Sequence, residues 1–242
     1  MVPVSGAPAA FSVAPVPTPG DLAGRLGVTA AELDWFADLR RINTRTRYER
    51  LLHYRYEWVR KASVGYRLLE APKARLKGIQ RWLLREVVEP IPVAPSTHGF
   101  VRGRGVCSFV APHVGRAVVV RLDLRDFFAS VSRARVVATF RRVGYPKSVA
   151  LTLGGLCTAA TPLHVLAGHP REGVDLAQRF LANARLKDPH LPAGAPTSPA
   201  LANLAAWRLD RRLAALASGF GAAFTRYASH GSRRSMPRAA PG

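Results

Sequence analysis

The stretch AVVVRLDLRDFF, residues 117–128, decides how this chain is read. Its run of valines followed by Leu122 has the β-branched composition of a buried strand, and it closes in Asp123, Leu124, Arg125, Asp126, Phe127 and Phe128. A carboxylate at the C-terminal edge of a buried strand costs desolvation free energy unless positive charge stands beside it, and a divalent cation is the usual source. Asp123 is therefore the first candidate for chemistry. The plainer reading is an Asp that caps the next turn, and Phe127 and Phe128 are core residues by default.

Downstream, Ser132 can cap a helix that ends near Gly144, and a second helix fills Lys147 to Cys157. Residues 148–170 carry no formal charge, but Gly154, Gly155, Thr158, Thr161 and Pro162 interrupt them, which points to a buried helix and a loop rather than a membrane span. In LPAGAPTSPALANL, residues 191–204, Gly194 lacks a Cβ and prolines stiffen the loop. Backbone amides there can approach a flat ring or a phosphate closely, though any αβ loop could read this way. Ser198 and Pro199 suit the N-cap and first position of a helix through Leu216, and FTRYA, residues 224–228, is a short strand expected to pair with residues 117–122.

Upstream, the first twenty residues are rich in proline and small residues and read as a disordered leader, with folded structure beginning near Asp21. Thr29 and Glu32 form a capping box ahead of the apolar stripe Leu33, Trp35, Phe36 and Leu39. Aromatic and charged residues alternate from His53 to Arg60, Ser63 to Gly65 can turn, and Tyr66 to Glu70 runs back as a β-hairpin. After Pro72 the period becomes helical. Leu76, Ile79, Leu83 and Val87 share one side, and Lys73, Lys77, Arg81 and Arg85 form a ridge on roughly the other. That ridge is either a solvated face or, with an acidic residue four positions on only at Glu89 after Arg85, a contact for a phosphate backbone.

The 242 residues suit one large domain or two small ones, and a hydrophobic content of 48% supports a packed core. With 36 basic and 15 acidic residues the formal charge is +21, a surplus whose natural counterpart is a polyanion rather than a small acidic metabolite. Cys107 and Cys157 cannot build a disulfide framework or a zinc site, and the N-terminus lacks a secretory pattern, so a reducing cytoplasm is expected, with no membrane partner.

Taken in order, GYRLLEAPKARLKGIQRWLL, HGFVRGRG, VVVRLDLRDFF, LPAGAPTSPALANL and FTRYA resemble the successive blocks of bacterial reverse transcriptases of the retron and group II intron-like type. The order of five blocks over residues 21–228 is more specific than any one block. The resemblance implies an α+β fold with right-hand polymerase fingers and an incomplete palm, a small antiparallel sheet backed by helices, and no thumb. It divides the chain into a leader (1–20), an N-terminal helical segment (21–52), fingers (53–116), a partial palm (117–228) and an aberrant basic tail (229–242). Asp123 matches the first metal-binding carboxylate, and the backbone of Leu124 a second ligand. Lys61 and Arg67 match residues that hold the triphosphate, and Phe128 matches the position under the sugar of the incoming nucleotide. Gly194, Ala195, Pro196 and Ser198 match the loop against the nascent base pair, and His98, Gly99, Phe100 and Arg102 a block near the template. The implied partners are an RNA template and primer, dNTPs and a structured non-coding RNA. The implied cofactor is a pair of Mg²⁺ ions about 4 Å apart, held by carboxylates from adjacent strands. Phage defence and mobile-element replication are the roles the family suggests. Oligomeric state is not legible.

The chain departs from the pattern where it matters most. The family continues the FTRYA strand into paired aspartates, whereas here Ser229 and His230 follow Ala228, and Asp210 is the last acidic residue. The tail SHGSRRSMPRAAPG reads as a frameshifted or aberrant end, and Ala193 stands where the family usually has Gln. The expectation is an RNA-directed DNA polymerase truncated at its active site with little or no activity. The alternative is a catalytically dead nucleic-acid-binding module that keeps the basic cleft.

Overall fold

The computed structural model describes residues 13–61, 65–172 and 175–227. It is a helix-rich α+β molecule with, among the described residues, one two-stranded antiparallel sheet. Two short capped helices come first, α1 (Pro19–Leu26) and α2 (Ala30–Ala37). Thr18 with Asp21 and Thr29 with Glu32 close reciprocal capping boxes. Strands β1 (Tyr54–Arg60) and β2 (Tyr66–Pro72) follow, in a register that sets Tyr54 opposite Pro72 and Arg60 opposite Tyr66. The turn expected at Ser63 to Gly65 lies largely outside the described residues. Helix α3 (Ala74–Leu83) runs on into a π-helical turn at Leu84–Val88, and its buried side carries Leu76, Ile79, Leu83 and Val87 as the period demands.

Next come α4 (Val106–Val110), α5 (Phe127–Ser130), α6 (Arg133–Val143), α7 (Lys147–Cys157), α8 (Leu163–Ala167) and α9 (Leu176–Lys187), then α10 (Ser198–Ala205) and α11 (Trp207–Gly219). Ser132 caps α6 and Gly144 ends it in a left-handed conformation, where a Cβ would be strained. Helix α7 is the axis of the core. Its residues from Thr152 to Cys157 are all buried, and α1, α2, α3 and α6 pack around it. Gln80 ties three elements together, its amide donating to the Tyr54 hydroxyl at 3.0 Å and to the Leu156 carbonyl at 2.8 Å. No helix among the described residues is long and apolar enough to cross a membrane.

Several expectations need correction. Residues 117–122 are not a buried strand. They form no ladder, and Val118, Val119, Val120 and Leu122 are between 60 and 81% exposed. The physical reason is that β-branched composition favours a strand only where a partner completes its hydrogen bonds, and the expected partner is engaged elsewhere. The FTRYA segment meets Thr97 through a parallel bridge at Arg226, with the Arg226 amide donating to the Ser96 carbonyl at 2.7 Å and the His98 amide to the Arg226 carbonyl at 2.8 Å.

The chain also enters the core before Asp21: Val16 is buried, and the Tyr145 hydroxyl donates to the Ala14 carbonyl at 3.0 Å. The rest of the expected leader, residues 1–12, lies outside the described residues, as does everything from Ala228 onward, including the basic tail. Helix α2 stops at Ala37, so Leu39 falls beyond the stripe assigned to it, and Trp35 is exposed. The helix expected from Ser198 to Leu216 breaks at Ala206. Ser198 does not cap it, because its buried hydroxyl donates to the Pro192 carbonyl at 2.7 Å and fastens the loop instead.

Candidate functional site: the cleft under the hairpin

A cleft of about 750 Å³ opens between the hairpin, the 123–129 segment and α9. It collects Lys61 and Arg67 from the hairpin, Asp123, Leu124 and Phe128 from the acidic block, and Ala193 from the LPAGAP loop. Five residues proposed from the sequence for nucleotide or metal contacts, up to 132 positions apart when Ala193 is included, thus share one depression. Asp123 reaches it from an exposed segment outside any strand rather than from a buried strand edge, so the desolvation argument for a cation beside it does not hold in this form. Phe128 is buried beneath the cleft.

Charge in the cleft is organised by Asp126, to which the sequence assigned no role. Its left-handed backbone, φ 50°, turns the carboxylate inward. It accepts from Lys61 Nζ at 3.1 Å and faces Arg185 of α9 at 3.4 Å, linking the two walls. The Trp58 indole stacks on His169 with centroids 4.0 Å apart, and its Nε1 donates to the Val165 carbonyl at 3.2 Å. His169 is held below the usual imidazole range, chiefly by burial.

The floor is a buried ion pair. Glu70 Oε2 lies 2.8 Å from His190 Nε2, and Thr161 donates to Glu70 Oε1 at 2.8 Å. Burial opposes a charge on His190, but the Glu70 carboxylate, its hydrogen bond and the contact with Asp188 outweigh that and raise the imidazole's pKa. Strand β2 is fastened to the loop by Glu70 N donating to the Ala193 carbonyl at 2.8 Å. Gly194, at φ +129°, packs so close that a Cβ would sit 3.1 Å from the Glu70 carbonyl oxygen.

The other proposed residues lie apart from the cleft lining. Gly194, Ala195, Pro196 and Ser198 build the loop behind β2. Lys73 bonds the Glu49 and Arg50 carbonyls, Lys77 and Arg81 are exposed on α3, and Arg85 pairs with Glu86 at 2.6 Å. His98 Nδ1 meets the Ser108 hydroxyl at 2.9 Å, and Arg102 is exposed.

Asp210, outside the matched positions, is the centre of a second buried network. Arg226 grips it bidentately at 2.6 and 2.9 Å, while Thr97 and Asn203 complete the cluster. The one local signal for these missed residues is Asp175, an N-cap that announces α9; the partnerships of Asp126, Glu70, His190 and Asp210 span from 16 to 120 positions.

Among the described residues no group of three Asp, Glu, His or Cys side chains converges to hold a metal ion, and Asp126, the neighbouring carboxylate, already faces two cations. The described residues do not fit a pair of Mg²⁺ ions.

No protein-family model matches the chain. It is 44% identical over 211 residues to the retron Mx65 reverse transcriptase of Myxococcus xanthus, covering 87% of this chain and 46% of that protein. To the retron Mx162 reverse transcriptase of the same organism it is 40% identical over 208 residues, 86% of this chain and 39% of the relative. To the retron Ec86 reverse transcriptase of Escherichia coli it is 28% identical over 162 residues, 67% and 42% of the two chains. The chain spans less than half the length of these curated relatives. With five ordered sequence blocks and identity of this extent over most of its residues, the chain belongs to the retron-type reverse transcriptases.

Proposed function

We propose that the cleft under the hairpin is the nucleotide-binding site of an RNA-directed DNA polymerase, and that this chain binds its substrates without extending a primer. The observation that carries this reading is the convergence of Lys61, Arg67, Asp123, Leu124 and Phe128 on one depression. In it, Lys61 and Arg67 take the triphosphate of a dNTP, a role suited to cationic donors on a hairpin. Phe128 lies under the sugar, and an RNA template with its primer runs past the LPAGAP loop. Fingers and a partial palm are the corresponding parts of the architecture. Lys61 is paired with Asp126, so a triphosphate competes with that carboxylate for it.

In the complete family pattern Mg²⁺ would supply neutralisation of phosphate charge. Asp123 would be one of its ligands, and the acidic pair that completes the set has no counterpart after Asp210 in this sequence. Losing such a ligand costs a factor of about a thousand or more in rate. Primer extension on an RNA template with Mg²⁺ should give no product above that of Asp123→Ala. Binding of dTTP, followed by fluorescence, should weaken by about tenfold in Lys61→Ala and in Arg67→Ala. Extension that Asp123→Ala abolishes would overturn the inactivity; dTTP binding indifferent to both hairpin variants would overturn the site.

A further inference from the structure

A second depression, of about 420 Å³, shares no lining residue with the cleft. Arg40, Arg41, Arg45, Arg47, His164 and Lys187 surround it, and no carboxylate lines it. The two depressions lie on either side of the buried Glu70–His190 pair, since Thr161 lines the second and donates to Glu70, which lines the first.

The arginine loop is held in place. Asp38 accepts from the amides of Ile42 and Asn43 at 2.7 and 3.2 Å. Asn43, itself buried, bonds the Leu51 carbonyl at 2.8 Å and the His53 amide at 2.9 Å. Asp38 and Arg41 both take left-handed backbone conformations, φ 41° and 58°, which cost free energy and persist only where the surroundings enforce them. Arg41 is anchored across the depression on the Lys187 carbonyl at 2.7 Å and on Asp188 at 3.3 Å. Arg40, Arg45 and Arg47 are exposed and form no ion pair among the described residues. A stiff loop therefore presents three cations beside Lys187, and their mutual repulsion favours an anionic occupant.

We propose that this depression is a docking site for the phosphate backbone of a base-paired RNA stem, separate from the nucleotide cleft. The inference rests on the polymerase reading for its choice of RNA. The choice of a stem follows from the lining: no Phe, Tyr or Trp faces the depression and His164 is its one ring, so stacking platforms for unpaired bases are sparse and the cluster of cations puts recognition on phosphates. Guanidinium groups suit that role because their paired donors match phosphate oxygens.

The test uses the full chain and a fluorescein-labelled RNA hairpin, titrated across salt concentrations. The triple variant Arg40→Gln, Arg45→Gln, Arg47→Gln should bind about tenfold or more weakly, and the slope of log K against log salt should flatten by about 2 to 3. The Arg→Lys triple variant should keep the slope, and circular dichroism checks that both variants fold. Saturating dTTP should leave the hairpin bound. The proposal is overturned if the Gln variant keeps wild-type affinity and slope, if an unpaired RNA of equal length binds this site as well as the hairpin, or if inorganic pyrophosphate displaces the hairpin as a simple anion. Binding of dTTP, with its dependence on Lys61 and Arg67, reports the first cleft separately, so either reading can fail while the other stands.

Discussion

Gly155 shows how closely the core of this protein is drawn together. A Cβ at that position would lie 2.3 Å from the carbonyl oxygen of Ala37 and 2.9 Å from Leu39 Cδ2, so the end of α2 rests directly on the backbone of α7. The first of these atoms is backbone and cannot swing aside. Gly155→Ala should therefore destabilise the fold by about 1 to 3 kcal/mol in urea unfolding, and an unchanged midpoint would rule out the close approach. Composition marked Gly154 and Gly155 as interruptions of an uncharged run; their use as contact points depends on which helices arrive there. Asp126 is similar: its partners Lys61 and Arg185 are 65 and 59 positions away.

At the scale of elements, the short helices were legible because their signals are local. Thr29 with Glu32, Ser132 with Gly144, and the four-residue apolar spacing after Pro72 each act within a turn or two. That residues 117–122 form no strand was not legible, because a strand is completed by a partner, and the FTRYA segment is held instead by the buried Arg226–Asp210 pair at Ser96 to His98. Asp210→Asn would leave the Arg226 guanidinium buried without its counter-charge, which costs about 3 to 5 kcal/mol. The same variant should speed hydrogen exchange at the amides of His98 and Arg226, whose acceptors belong to that bridge. Retained stability and protection would show that the pair does not hold the segment.

The whole molecule responds to pH through buried histidines of opposite sign, of which His53 and His190 differ most in kind. His53, flanked by Trp35 and Phe36, is pushed down to about 4 by burial and by Lys73. Between its ordinary value near 6.5 and about 4, the unfolded chain binds a proton that the folded chain refuses. Stability present above pH 6.5 is thus lost as pH falls through this window, by up to about 3 kcal/mol. His190 is raised, so its contribution is complete below the unfolded value and is lost as pH rises through the folded one. Unfolding free energy should drop on acidification from pH 7 to 4, and His53→Leu should flatten that slope. A slope unaltered by the substitution would assign acid sensitivity elsewhere.

The amino-acid sequence by itself determined the family, the surplus of positive charge, the capped helices and the hairpin, and the candidates Lys61, Arg67, Asp123 and Phe128. Those features reside in local periodicity, composition and block order. Tertiary structure alone decided that Asp126 bridges the cleft walls, that Glu70 and His190 form its floor, that four arginines surround a second depression and that the valine-rich segment lies exposed. Each of these is a pairing between distant positions or the lack of one. Whether a charge is met or a strand is completed depends on which surfaces the core brings face to face.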